Sequence, residues 1–168
     1  DFKRLLAYSS VAQIGYIVLG ISFASVIGLT GGIVHLFNHA LMKAALFMAM
    51  GCIFMRIGST SITDMEGIAK RMPLTMAAFV AGGLSIIGVP LTVGFVSKWY
   101  LIQAVLEKGW WPFVVVILMS SLFAIIYVWR VVEVAYFRPP PKGAQNVTEA
   151  PLMMLVPLWV MIAATYYF

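Results

Sequence analysis

Charge is scarce in this sequence. Its 168 residues include eleven Lys and Arg and six Asp and Glu, 10% in all, whereas 62% are hydrophobic and the mean hydropathy is +1.00. A soluble domain carries roughly a quarter charged residues, so an ordinary soluble fold is excluded. Cysteine is nearly absent as well. Cys52 stands alone, which rules out a disulfide framework, a CxxC redox pair and a cysteine-ligated iron-sulfur cluster. The net charge of +5 superficially suits nucleic acid, but basic residues dispersed through a hydrophobic chain read as loop charges that orient it in a lipid bilayer, and no nucleic-acid partner is expected. The sequence opens on Asp1, shows no signal peptide before its first apolar run and is still apolar at Phe168, so it is read as a partial chain.

What is present is a succession of apolar runs of membrane-spanning length. The first spans Leu5 to Ala24 behind the charged group Asp1, Lys3 and Arg4, and a Gly- and Ser-rich loop follows it. The second runs from about Ile33 to Met55 and stops at Arg56. A polar connection then places Asp64, Glu66, Lys70 and Arg71 at the spacing of a short interfacial amphipathic helix, and Pro73 suits the start of the next segment. Leu74 to Val89 covers only about 24 Å as a helix, against a hydrocarbon core of about 30 Å. Gly88, Pro90 and Gly94 interrupt it before a second short helix, FVSKWYLIQAVL.

The two short pieces form either one discontinuous crossing or a hairpin. A single crossing leaves Lys3, Arg4, Arg56, Lys70, Arg71, Arg138 and Lys142 on one side and Lys108 on the other; a hairpin splits them six to two. Positive charge gathers on the cytoplasmic side, so the single broken crossing is favoured. Trp110, Trp111 and Pro112 mark an interface before a long helix to about Phe137; a cytoplasmic loop occupies residues 138–151, and residues 152–168 begin a final span. Asn146, Val147 and Thr148 match a glycosylation acceptor, but that loop lies on the wrong side for its use. The expected fold is all-α, a polytopic transmembrane bundle of about five crossings.

Polar residues inside such spans are costly and so carry the functional reading. His35, His39 and Lys43 follow one another at intervals of four. Each step of four turns the helix face by only about 40°, so the three share one stripe, with Asn38 beside them. The alternative is that Lys43 snorkels and the histidines cross-link helices. Lys98 follows the helix break directly, where unwound backbone must be satisfied by protein or water. Desolvation penalises an ammonium, so a lysine in this setting can gain and lose a proton; an interfacial anchor is the competing role. Ser9, Gln13 and Tyr16 form a milder stripe suited to water or helix packing, and Arg130 and Glu133 are spaced to pair on one face. HLFNH lacks the glutamate and third ligand of a zinc site, and two histidines on one face cannot ligate a haem axially from opposite sides. Neither metal nor cofactor is expected.

The segments DFKRLLAYSSVAQIGYIVLGI, HLFNHALMKAALF and LSIIGVPLTVGFVSKWYLIQAVL, in this order, resemble the antiporter-like membrane subunits shared by respiratory complex I and multisubunit Mrp cation/proton antiporters. The resemblance implies that residues 1–137 belong to the second of two inverted repeats and its following helix. It implies a connecting lysine at Lys43, relay histidines at His35 and His39, a proton-exchanging lysine at Lys98 on the broken helix, and a charged helix-end pair at Asp1 and Lys3. AKRMPLTMAAFVAGGLSIIGVPLTVGFVSKWYL and SSLFAIIYVWRVVEVAYF look closer to the D-type member of the Mrp antiporters than to the complex I members of the family. The expected function is therefore a proton-translocating subunit of a sodium/proton antiporter in a bacterial inner membrane, partnered by other membrane subunits and handling protons and Na+. The alternatives are a proton-pumping subunit of an NADH-quinone oxidoreductase or related membrane hydrogenase, and a non-conducting scaffold.

Overall fold

The computed structural model describes residues 1–140 and 147–167, and among these all regular structure is helical. Lys142, Asn146 and Phe168 lie outside the described residues. Helix α1 spans Phe2–Ser22 and opens on Asp1, whose carboxylate accepts the Arg4 amide at 3.0 Å. Helix α2 spans Val26–Ile57. The glycines expected in a loop before it are inside it, because they are contact residues rather than turn residues. A Cβ on Gly20 would sit 2.7 Å from the Gly28 carbonyl oxygen, so glycine lets α1 and α2 touch backbone to backbone.

The interfacial helix expected around Asp64 and Lys70 is instead two 3-10 turns, Ile62–Met65 and Ile68–Lys70. Gly67 separates them at φ 65°, a left-handed conformation that ends a helix, and its amide is drawn to the Val134 carbonyl. Helix α3 then spans Pro73–Ile87 and α4 spans Val93–Glu107. Helix α5 spans Pro112–Val132 and passes into a π-helical turn at Glu133–Phe137. Arg130 pairs with Glu133 at 3.5 Å, and Arg138 joins Glu133 to Glu66. Helix α6 spans Leu152–Tyr167. Among the described residues, three helices, α1, α2 and α5 with its π turn, are long and apolar enough to cross a membrane, with α3 and α6 as shorter apolar helices.

The pairing along α2 shows how the broken segment runs. Gly82 of α3 packs on Leu46, Val93 at the head of α4 receives Asn38, Ser97 meets His35, and Leu101 meets Gly31. Rising numbers on α3 and α4 thus meet falling numbers on α2 without reversal. The two short helices form one interrupted path antiparallel to α2 rather than a hairpin. The ends follow from this. Thr60 bonds Asp1 and Glu66 bonds Arg138 at one end, whereas Phe23 packs on Trp110 at the other, beside Lys108.

The start of α3 has no side-chain cap of its own. Glu149 supplies one from a distant part of the chain, accepting from the Leu74 amide at 2.7 Å and from the Thr75 hydroxyl at 2.5 Å. A carboxylate suits this end of a helix because both free amides and the helix dipole favour negative charge.

Candidate functional site

Two apolar clusters divide the interior. Phe2, Leu6, Leu46, Ile53, Met72 and Phe79 anchor the larger one, and Tyr16, Phe23, Leu101, Val105 and Ile117 the smaller. Between them lies a buried polar layer. Ser9 and Gln13 come from α1, His35, Asn38 and Lys43 from α2, and Ser97 and Lys98 from α4. Ser121 of α5 completes it through its bond to Lys98. The position of this layer, enclosed by hydrocarbon on both sides, is what a midplane ion path requires.

Lys98 keeps only 5% of its surface exposed. Its Nζ donates to the Ile86 and Ile87 carbonyls at 2.9 and 2.8 Å and to Ser121 Oγ at 2.9 Å. Helix α3 ends at Gly88, the Gly88 and Val89 amides bond back to Leu84, and Pro90 carries no amide hydrogen, so the Ile86 and Ile87 carbonyls have no helical donor. The ammonium takes the place of the missing donor at the negative end of α3. Gly88 closes α3 at φ 88°, and Leu91 in the break holds φ 75°, which is strained for a side chain of its size. At the crossing, a Cβ on Gly94 would lie 1.8 Å from the Ser85 carbonyl oxygen, so only glycine permits it. The Tyr16 ring faces Lys98 Nζ at 5.3 Å, a cation-π contact. A cavity of about 220 Å³ opens beside the lysine, with Gly88, Trp99, Ile117 and Ser121 in its wall.

Lys43, 6% exposed, donates to the Leu6 carbonyl at 2.7 Å and to Ser9 Oγ. His35 uses both ring nitrogens: Nε2 faces Gln13 Oε1 at 3.1 Å and Nδ1 faces Ser97 Oγ at 2.8 Å. The His35 and His39 rings are stacked with centroids 6.4 Å apart, and His39 Nε2 is buried with no hydrogen-bond partner among the described residues. A buried polar atom in that condition is a place for water. Asn38 is not part of this line; its amide donates to the Val93 carbonyl at 2.9 Å and pins α4 to α2.

The structure thus brings His35, His39, Lys43 and Lys98 into one layer and adds Ser9 and Gln13 as direct partners. Asp1 acts as a helix cap tied to Thr60, and Arg130 and Glu133 form a surface pair near the bundle end. Sequence reasoning passed over Ser97 and Ser121. Ser97 precedes Lys98 directly, and its place beside a candidate lysine was the available signal; nothing local distinguishes Ser121.

Residues 1–124 match the family described as NADH:quinone oxidoreductase/Mrp antiporter, transmembrane. The chain belongs to this family. It is a multi-pass integral membrane protein of the antiporter-like type. It is 48% identical over 173 residues to NADH-quinone oxidoreductase subunit N of Desulforudis audaxviator, covering 96% of this chain and 34% of that protein. Its fold overlays the membrane-bound sulfane sulfur reductase, an archaeal respiratory membrane complex, with a TM-score of 0.92 and 30% identity, covering 99% of this chain and 28% of that one. It overlays the Mrp complex of a Dietzia species with a TM-score of 0.87 and 27% identity, covering 96% and 38%. The chain therefore spans about a third of the length of these relatives.

Proposed function

We propose that this chain carries protons, as part of a proton-translocating subunit in a membrane redox complex of the NADH-quinone oxidoreductase kind. The observation that carries the reading is the pair of buried lysines, Lys43 and Lys98, held in one polar layer with His35 and His39 between apolar clusters. Burying two amines on carbonyls and hydroxyls instead of carboxylates costs several kcal/mol, which packing alone does not require.

The bonding at each lysine suits a proton carrier. An ammonium at Lys98 donates all three hydrogens to Ile86, Ile87 and Ser121. After losing one, the amine retains two donors, and the Ser121 hydroxyl can turn to donate into the freed lone pair. Both protonation states are therefore satisfied without moving the backbone. The distance between the histidine rings is too long for direct transfer, so the relay requires bridging water, and the buried His39 Nε2, without a partner among the described residues, offers it a site.

The likeness to subunit N favours coupling to redox chemistry over the Na+/proton antiport expected from the sequence pattern. The likeness to the Mrp complex supports antiport as a second reading. Proton flux by the full-length protein in its assembled complex, reconstituted in vesicles, tests both. Flux that follows quinone reduction and ignores Na+ supports the first, strict Na+ dependence supports the second, and no flux attributable to this subunit supports the scaffold.

A further inference from the structure

The histidine His35 is gripped at both edges by side chains from two other helices, and the two grips differ in kind. On the α1 side, Gln13 Oε1, an acceptor, faces Nε2 at 3.1 Å and so favours the tautomer with its hydrogen there. On the α4 side, the Ser97 hydroxyl both donates and accepts. Its oxygen lies 2.8 Å from His35 Nδ1 and 3.2 Å from each of the Val93 and Gly94 carbonyls. One hydroxyl hydrogen serves one of these acceptors at a time. Ser97 is fully buried and Gln13 is 2% exposed, so neither contact competes with bulk water.

The geometry points to Ser97 as a proton-sensing rotor for His35, with Gln13 as the positioning residue that fixes the neutral ring's hydrogen on Nε2. The inference rests on the relay reading and adds to it which edge of the ring exchanges. In the neutral state Nε2–H donates to Gln13, and the Ser97 hydrogen points at Nδ1. Adding one proton to Nδ1 makes that nitrogen a donor, so the Ser97 hydrogen swings to Val93 or Gly94 and the oxygen accepts. No bond within Ser97 breaks. The carbonyls that receive the hydrogen belong to the first turn of α4, at the helix break and next to Lys98, so the charge on His35 is reported to the segment that holds the second lysine. Tyr16 from α1, His39 from α2 and Lys98 from α4 are the other titratable groups facing the ring.

Histidine-selective nitrogen NMR in the solid state, on the full-length protein within its complex in lipid, reads the two grips separately. The His35 signals are those missing from His35→Gln. Gln13→Met removes the Nε2 acceptor and is expected to move the neutral hydrogen from Nε2 to Nδ1, where Ser97 still accepts. Ser97→Ala is expected to leave the hydrogen on Nε2 while the Nδ1 resonance moves to that of an unbonded ring nitrogen. It should also lower proton flux per assembled complex about tenfold, the equivalent of one lost hydrogen bond of about 1.4 kcal/mol. A bond that only holds the ring in place predicts the same spectral changes with normal flux per assembled complex, so the flux separates the two roles. The inference is overturned if Gln13→Met leaves the hydrogen on Nε2, if Ser97→Ala leaves the Nδ1 resonance unmoved, or if its normalised flux is normal. Unchanged flux in His35→Gln would instead end the relay reading, independently of the spectra.

Discussion

Lys98 Nζ donates to the Ile86 and Ile87 carbonyls at 2.9 and 2.8 Å, the last two of α3, which lack helical donors because the Gly88 and Val89 amides turn back to Leu84. The helix break and the lysine are therefore one device. Gly88 ends α3 and leaves its last carbonyls free, Pro90 brings no amide hydrogen to them, Gly94 lets the chains cross, and a side chain from the next helix supplies the donor.

Replacing Lys98 should consequently separate transport from assembly. Lys98→Met keeps the length and volume and should abolish proton coupling while the complex still assembles. Lys98→Arg should substitute poorly, since guanidinium stays protonated. Proton flux per assembled complex is the measurement, and full flux in the Met variant would eliminate Lys98 as a carrier.

Lys43, His35 and His39 should behave as a relay when replaced singly by alanine. Lys43→Ala is expected to reduce normalised flux most, and each histidine variant to slow it. Packing residues would instead lower the amount of protein in the membrane and leave turnover per complex unchanged, so quantifying both separates the roles.

Gly94 tests the crossing itself. Gly94→Ala places a methyl group against the Ser85 backbone, which cannot retreat without shifting α3. Overpacking of this kind costs about 1 to 3 kcal/mol. Thermal unfolding of the complex in detergent should show a lower midpoint for Gly94→Ala, whereas Gly51→Ala, inside α2 with open space around it, should match or exceed the parent.

Glu149→Ala should weaken the start of α3 by about 1 kcal/mol, the usual scale for a lost helix cap. Glu149→Gln keeps an acceptor oxygen and should lose less. The same unfolding measurement checks this, and a Gln variant more stable than the parent would show that the charge is unfavourable there.

Sidedness follows from the single interrupted crossing. Cysteines introduced at Lys70 and Lys108, with Cys52 removed, are expected to react with an impermeant reagent from opposite sides of the membrane. Labelling from the same side would require α3 and α4 to form a hairpin.

The stripe of His35, His39 and Lys43 and the break before Lys98 were legible in the sequence because both are local. A spacing of four fixes a common helix face, and Pro90 between glycines removes hydrogen bonds wherever the helix lies. Hydropathy likewise determined the all-helical membrane class, since uninterrupted apolar runs of about 20 residues suit spanning helices and not the short alternating strands of a barrel. Glycine marks turns and close helix contacts equally, so the glycines near the start of α2 read as a loop in the sequence, and only the approach of α1 to Gly28 tells these apart. The 3-10 turns around Gly67 were missed for a related reason: charge spacing suggested an amphipathic helix, while the deciding bond goes to Val134 on another helix. Ser97, Ser121 and Gln13 acquired their roles only in three dimensions. A hydroxyl or amide has no sequence signal for the partner it will meet, and its chemistry here depends on helices α1, α4 and α5 converging on His35 and Lys98 in a layer from which bulk water is excluded.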